Sequence, residues 1–118
     1  SEECIEYNGC TWAGYFAALS GKQTEEWVRN NNIIAMFSAN DGNAAYNTHK
    51  LKKIRLRKNG REIDVTVYDT CGDSDCSGCC TRNATRNGLS TLIDLEKYTY
   101  QRFGQGDGIL EWACLNCN

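Results

Sequence analysis

The amino-acid sequence predicts a small, mainly-β barrel stapled by disulfides, and three observations carry that prediction. Two alternating runs between residues 53 and 67 are joined by Asn59-Gly60. The chain of 118 residues holds eight cysteines. A continuously apolar run, Ile33-Ile34-Ala35-Met36-Phe37, is bounded by polar clusters. The first is a hairpin signature, because a type I′ turn needs positive φ at both central positions and Asn-Gly tolerates it. The second, an even count in a short chain, is the pattern of a disulfide framework formed in an oxidising compartment. The third fits a strand buried on both faces.

Taken in order, residues 4–16 mix β-formers with Gly9 and Gly14 and read as an opening strand with bulges or close backbone approach. Ser20 to Arg29 reads as a short helix: Thr24 is the candidate cap, Glu25 and Glu26 suit the first turn, and Asn30-Asn31-Asn32 stops it. The buried strand follows, then a loop from Ser38 to Thr48 rich in Asn, Gly and Asp, with His49 in its polar surroundings. In the hairpin, Ile54 and Leu56 face one way, while Lys53, Arg55 and Arg57 face the other as a solvated outer surface. Ile63, Val65 and Val67 resume the alternation, and the strand runs on through Tyr68-Asp69-Thr70 to Cys71. Cys71 to Gly88 reads as an irregular, cysteine-rich loop.

Thr91-Leu92-Ile93-Asp94-Leu95 is a short apolar run in which Asp94 is placed as a helix N-cap. Leu95, Tyr98 and Phe103 would share one face of that helix and Gly104 would stop it. Ile109 to Cys114 closes the chain as a strand, with Phe103 and Trp112 assigned to the core. Five or six strands with one or two short helices make one domain over residues 1–118.

Net charge is −2, which gives no reason to expect a nucleic-acid or membrane partner. No run is long and apolar enough to span a bilayer as a helix. The start at Ser1, without an apolar leader, is the expected form of a secreted protein after signal-peptide removal. Asn83-Ala84-Thr85 is an N-glycosylation acceptor pattern at Asn83. Cys76-x-x-Cys79 and Cys114-x-x-Cys117 have the spacing of structural zinc ligands. A zinc site built on them would leave Cys4, Cys10, Cys71 and Cys80 outside, so disulfides and no metal are expected, with the pairing open. Asp73 and Asp75 offer too few oxygen ligands for calcium.

The order of motifs is similar to that of the expansin and rare-lipoprotein-A superfamily, which includes loosenins, barwin-like proteins and family 45 endoglucanases. The residues that carry the resemblance are Lys53-Ile-Arg-Leu, Asn59-Gly60-Arg61-Glu-Ile, Val65-Thr-Val-Tyr-Asp69-Thr-Cys71, Ile93-Asp94-Leu95 and Gly108-Ile-Leu-Glu-Trp112. Gly9-Cys10-Thr11-Trp12 resembles the family's opening strand more loosely. The resemblance implies a six-stranded double-psi β-barrel that binds polysaccharide in an open groove. Asp94 matches the aspartate that is the general acid of the hydrolytic relatives and is needed for wall loosening in expansins. Asp69 matches the second groove aspartate and Thr11 the groove threonine. Tyr7, Trp12 and Tyr15 lie in the segment that supplies groove aromatics, and Tyr68 adjoins Asp69.

Inverting hydrolysis needs a second carboxyl group to activate water. In the hydrolytic relatives that base follows the threonine of the first strand, and here Trp12, Ala13, Gly14, Tyr15 and Phe16 follow Thr11. Glu6 precedes it. The resemblance therefore implies a secreted, expansin-like or loosenin-like monomer that loosens cell-wall polysaccharide (cellulose, another glucan or chitin) without cleaving it and without a cofactor. Two other readings stand beside it: a secreted defence, effector or protease-inhibitor barrel acting on a protein target through its loops, and a glycoside hydrolase or lytic transglycosylase. Each residue also has a plain role open to it. Asp94 would serve as a cap, Asp69 as an acceptor for backbone N–H groups, and the aromatics as core.

Overall fold

Residues 14–40, 43–71, 77–86, 88–106 and 108–117 are described by the structure, a computed structural model of the chain. The elements, in chain order, are α1 (Glu25–Asn30), β1 (Ile33–Ser38), α2 (Ala44–His49), β2 (Lys53–Lys58) and β3 (Arg61–Thr70). They continue with α3 (Cys79–Thr85), β4 (Thr91–Leu95), α4 (Lys97–Phe103) and β5 (Glu111–Cys114). The strands form one curled sheet in the order β4-β1-β3-β2-β5. Pairing is antiparallel except between β1 and β3, which run parallel. The fold is mainly β, with short helices and disulfides.

The hairpin forms where the sequence places it. Asn59 and Gly60 have φ of 52° and 81°, and Lys58 pairs with Arg61 across them. On the solvated face Arg55 and Asp64 form a salt bridge at 2.8 Å, and Arg57 pairs with Glu62. The other face carries Ile54, Leu56, Val65 and Val67 into a core completed by Ile34, Met36, Tyr46 and Phe103. Burying each large aliphatic or aromatic side chain of this set contributes roughly 1.5–3 kcal/mol.

α1 follows its expected signals: Thr24 Oγ1 accepts the N–H of Trp27 at 3.1 Å, and Glu25 and Glu26 occupy the first turn. At its other end the Arg102 guanidinium donates to Asn32 Oδ1 (2.7 Å), Arg29 O (2.5 Å) and Asn31 O (2.7 Å). One side chain of α4 thus satisfies carbonyls that a six-residue helix leaves open. Thr99, also on α4, is fully buried, and its hydroxyl oxygen accepts the N–H of Ile33 at 2.7 Å.

Several expectations require correction. Asp94 is not the cap of α4. It lies within β4, captured by antiparallel pairing with β1, and Glu96 caps the helix by accepting from Tyr98 N (2.9 Å) and Thr99 N (3.4 Å). Gly104 does stop α4, in the left-handed conformation at φ 71°. The expected loop at 71–88 contains α3, because Cys80 and Ala84, four residues apart and so on one helical face, bury against Phe37. The expected loop at 38–48 contains α2, anchored by the buried Tyr46, and His49 is its last residue. Trp112 is 38% exposed rather than core, because β5 is an edge strand. Its ring stands edge-on to His49, with centroids 5.3 Å apart.

Disulfides join Cys71 to Cys80 and Cys114 to Cys117. Cys79 is also disulfide-bonded, and no described cysteine is free. Cys4, Cys10 and Cys76 lie outside the described residues, as does most of the expected opening strand; its described part, residues 14–16, is not in a strand. Among the described residues no helix is long and apolar enough to cross a membrane.

Candidate functional site

Asp69 is the penultimate residue of β3 and Asp94 the penultimate residue of β4. Strand β1 lies between them, and its Ala35 is the register partner of both. Directly paired residues of neighbouring strands present their side chains on the same face, so the two carboxyl groups flank the Ala35 methyl on one side of the sheet. Two strand spacings separate their backbones, about 9–10 Å.

This placement depends on a bulge. Ile34 pairs with Val67, but the next residue, Ala35, pairs with Asp69, which leaves Tyr68 as an extra residue in β3. A regular ladder would set Asp69 opposite Met36, whose side chain is fully buried in the core. The inserted residue moves the carboxylate to the other face of the sheet. It also leaves the Tyr68 carbonyl free of the β1 ladder, and Ala18 N–H donates to it at 2.9 Å. Just beyond, the Thr70 hydroxyl donates to Met36 O at 3.0 Å and so ties the end of β3 back to β1.

The two aspartates stand in unequal surroundings. Asp69 Oδ1 accepts the N–H of Ala17 at 3.1 Å. Burial pushes its carboxyl above the usual carboxylate range, against the opposing pull of the Ala17 and Thr70 N–H groups. Asp69 therefore holds a proton more readily than an exposed aspartate. Its charge is felt in turn by Tyr46, whose hydroxyl is pushed up first by its own burial and then by Asp69. Asp94 is half-buried on its strand.

Beside Asp69, Tyr68 belongs to an aromatic cluster. Its ring centroid is 5.2 Å from that of Trp27, nearly edge-on, and 6.5 Å from that of Phe16, which in turn lies 6.0 Å from Trp27. Tyr15 is exposed. The structure thus brings together Asp69, Asp94 and Tyr68, with Tyr15 nearby in the chain, whereas Tyr7, Thr11 and Trp12 lie outside the described residues. Sequence reasoning missed Ala35, Trp27 and Phe16. Nothing local marks them, since Ala35 reads as one more apolar residue of a buried strand and Trp27 as one residue of a capped helix. Asn83, the glycosylation candidate, is exposed on α3, where its Oδ1 accepts from Arg86 at 2.6 Å.

Among the described residues, the one close group of metal-ligating side chains is Cys71, Cys79 and Cys80, whose sulfurs lie within 4.8 Å of one another. All three are disulfide-bonded, and a disulfide sulfur is not the thiolate that a metal takes. What the Asp69–Ala35–Asp94 row can do is accept hydrogen bonds at two points on either side of a small apolar floor. When protonated, Asp69 can also donate one. Searches against protein-family models, curated proteins and solved structures returned no match for this chain.

Proposed function

We propose that this chain is a secreted, expansin-like or loosenin-like protein that binds cell-wall polysaccharide across the face bearing Asp69 and Asp94 and loosens it without hydrolysis. The observation that carries the reading is the register of both aspartates on Ala35, which sets two carboxyl groups on one face from strands far apart in sequence. The proposed architecture is a six-stranded double-psi β-barrel. The parallel pairing of β1 with β3 inside an otherwise antiparallel sheet supports it, as does the order of the motifs. Disulfides support an extracellular location.

The non-hydrolytic character follows from what a base requires. No carboxylate follows Thr11 in the opening segment, and Asp69 Oδ1 is already engaged by the Ala17 N–H. Binding alone is sufficient for loosening, because glucan chains in a wall are held side by side by many weak hydrogen bonds and stacking contacts. A surface that engages one chain competes with those contacts and needs no covalent step.

The test is retention on insoluble cellulose, chitin and peptidoglycan, together with creep of a wall specimen under load. The wild type is expected to bind a polysaccharide and release no reducing sugar, and Asp94→Asn is expected to abolish loosening with an unchanged melting temperature. Retention on none of the three overturns the reading, and inhibition of papain in a parallel assay would then point to a protein target.

A further inference from the structure

We propose that Ala35 is the seat of a single sugar ring and sets the room available above the sheet, with Asp69 and Asp94 gripping the ring at its two edges. This rests on the reading above that the Asp69–Asp94 face binds polysaccharide, and it assigns to a residue of β1, an interior strand, the role of admitting or excluding the ligand.

The argument starts from the burial of β1. Five of its six residues are buried, and Ala35 alone is not. On the face that Ala35 shares with Ile33 and Phe37, both neighbours are closed over. Ile33 is 1% exposed and its N–H is held by the Thr99 hydroxyl of α4. Phe37 is covered by Cys80 and Ala84 of α3, with Leu92 of β4 packed alongside. α3 closes the Phe37 end of this face, the Ile33 end is buried as well, and the middle is occupied by a half-buried residue with a single methyl group.

The choice of residue matters. Every other position from Ile33 to Phe37 carries a large side chain, and strands favour β-branched and aromatic residues over alanine. A valine or leucine at position 35 would fill the space between the two carboxyl groups. With alanine the flanking backbones stand about 9–10 Å apart over a low floor. That leaves room between two short acidic side chains for one ring that offers hydrogen-bond donors at both edges. A hexopyranose unit with hydroxyl groups on opposite edges is the chemical class that fits: its C–H face lies on the methyl group and its hydroxyls meet the carboxylates. The Phe16–Trp27–Tyr68 cluster stands next to the Asp69 edge, where the neighbouring unit of the chain would pass.

Retention on the insoluble glucan that the wild type binds is the experiment, with Ala35→Ser, Ala35→Val and Ala35→Leu measured beside it. Serine adds almost no bulk, so Ala35→Ser should bind within a factor of about two of the wild type. Ala35→Leu should bind about tenfold or more weakly, the scale on which a methylene group fills or empties a pocket. Ala35→Val should fall between them. Because position 35 is not part of the buried core and β-branched residues suit strands, the valine variant keeps the test valid if leucine prevents folding. Wild-type binding by Ala35→Val and by any folded Ala35→Leu overturns the seat while leaving the polysaccharide reading intact, as does equal loss in the serine and leucine variants. Failure of the wild type to bind any glucan overturns both.

Discussion

Replacing Thr99 with valine should weaken the protein substantially while leaving every side chain of the candidate site in place. Thr99 is fully buried on α4, and valine has nearly its shape, so the substitution opens no cavity. What it removes is the hydroxyl oxygen that accepts the Ile33 N–H at 2.7 Å. Ile33 is itself 1% exposed, so water does not reach the orphaned donor, and a stranded buried N–H costs about 1–3 kcal/mol. The second contact of the hydroxyl, to Asn31 O at 3.4 Å, is long, and that carbonyl still takes Arg102 at 2.7 Å, so it adds little. For a domain of this size about 2 kcal/mol corresponds to a fall in melting temperature of roughly 6–12 °C. Urea unfolding should show the midpoint moving with an unchanged slope, since the surface exposed on unfolding is the same. Thr99→Ser keeps the acceptor and loses one methyl group, about 1 kcal/mol. A valine variant as stable as the wild type, or a serine variant less stable than the valine one, would refute this account of how α4 holds the start of β1.

Two further outcomes follow from the same contacts. The folded-state pKa of Asp69 is raised, so between the ordinary carboxylate value near 3.9 and that raised value the folded state binds the proton more strongly than the unfolded chain. The Asp69 contribution to stability is therefore present below this window and lost as pH rises through it. Asp69→Asn, whose amide oxygen can still accept the Ala17 N–H, should lack that component: urea midpoints measured against pH should rise relative to the wild type toward neutrality and converge with it in acid. The cysteine pairs should rank by loop and burial. Cys71–Cys80 spans a sequence separation of 9 and Cys114–Cys117 one of 3, which loop-closure entropy converts to roughly 2.6 and 1.6 kcal/mol. Cys80 is fully buried and Cys117 is exposed. The double alanine variant at 71 and 80 should melt at the lower temperature of the two, and the reverse order would count against this ranking.

Much of this molecule was legible in the sequence, wherever the deciding interaction was local. Asn59-Gly60 carries its own turn conformation, Thr24 finds its N–H partner within one turn, and Gly104 supplies the left-handed residue that ends α4. The misses came where a distant partner decided. Asp94 has the composition of a cap, but β1 offers it a ladder and Glu96 takes the cap instead. Cys80 and Ala84 look like loop residues until Phe37 gives them something to bury against. The bulge at Tyr68 has no signature at all, because it is a mismatch between β3 and a strand about 30 residues earlier. Its effect on Asp69 could not be read from either segment alone. The two aspartates could be nominated from sequence, but the residue between them could not.

The position of β1 has a consequence for how the chain is made. Its two hydrogen-bonding edges are completed by β3 and β4, strands that are translated well after it, and the second is not available until Leu95 has been added. At ordinary elongation rates of about 5–20 residues per second, β1 waits several seconds with at least one bare edge, carrying the most apolar run in the chain. The β2–β3 hairpin, closed by its own two-residue turn, can form in microseconds once it emerges. The order of assembly is then set by topology: the hairpin first, β1 docked parallel onto it, β4 sealing the far edge of β1, and β5, the last strand made, adding to β2. In the growing chain, Ile33 to Phe37 is the segment most exposed to mispairing with a neighbouring nascent chain, and it is where a chaperone would be needed during synthesis.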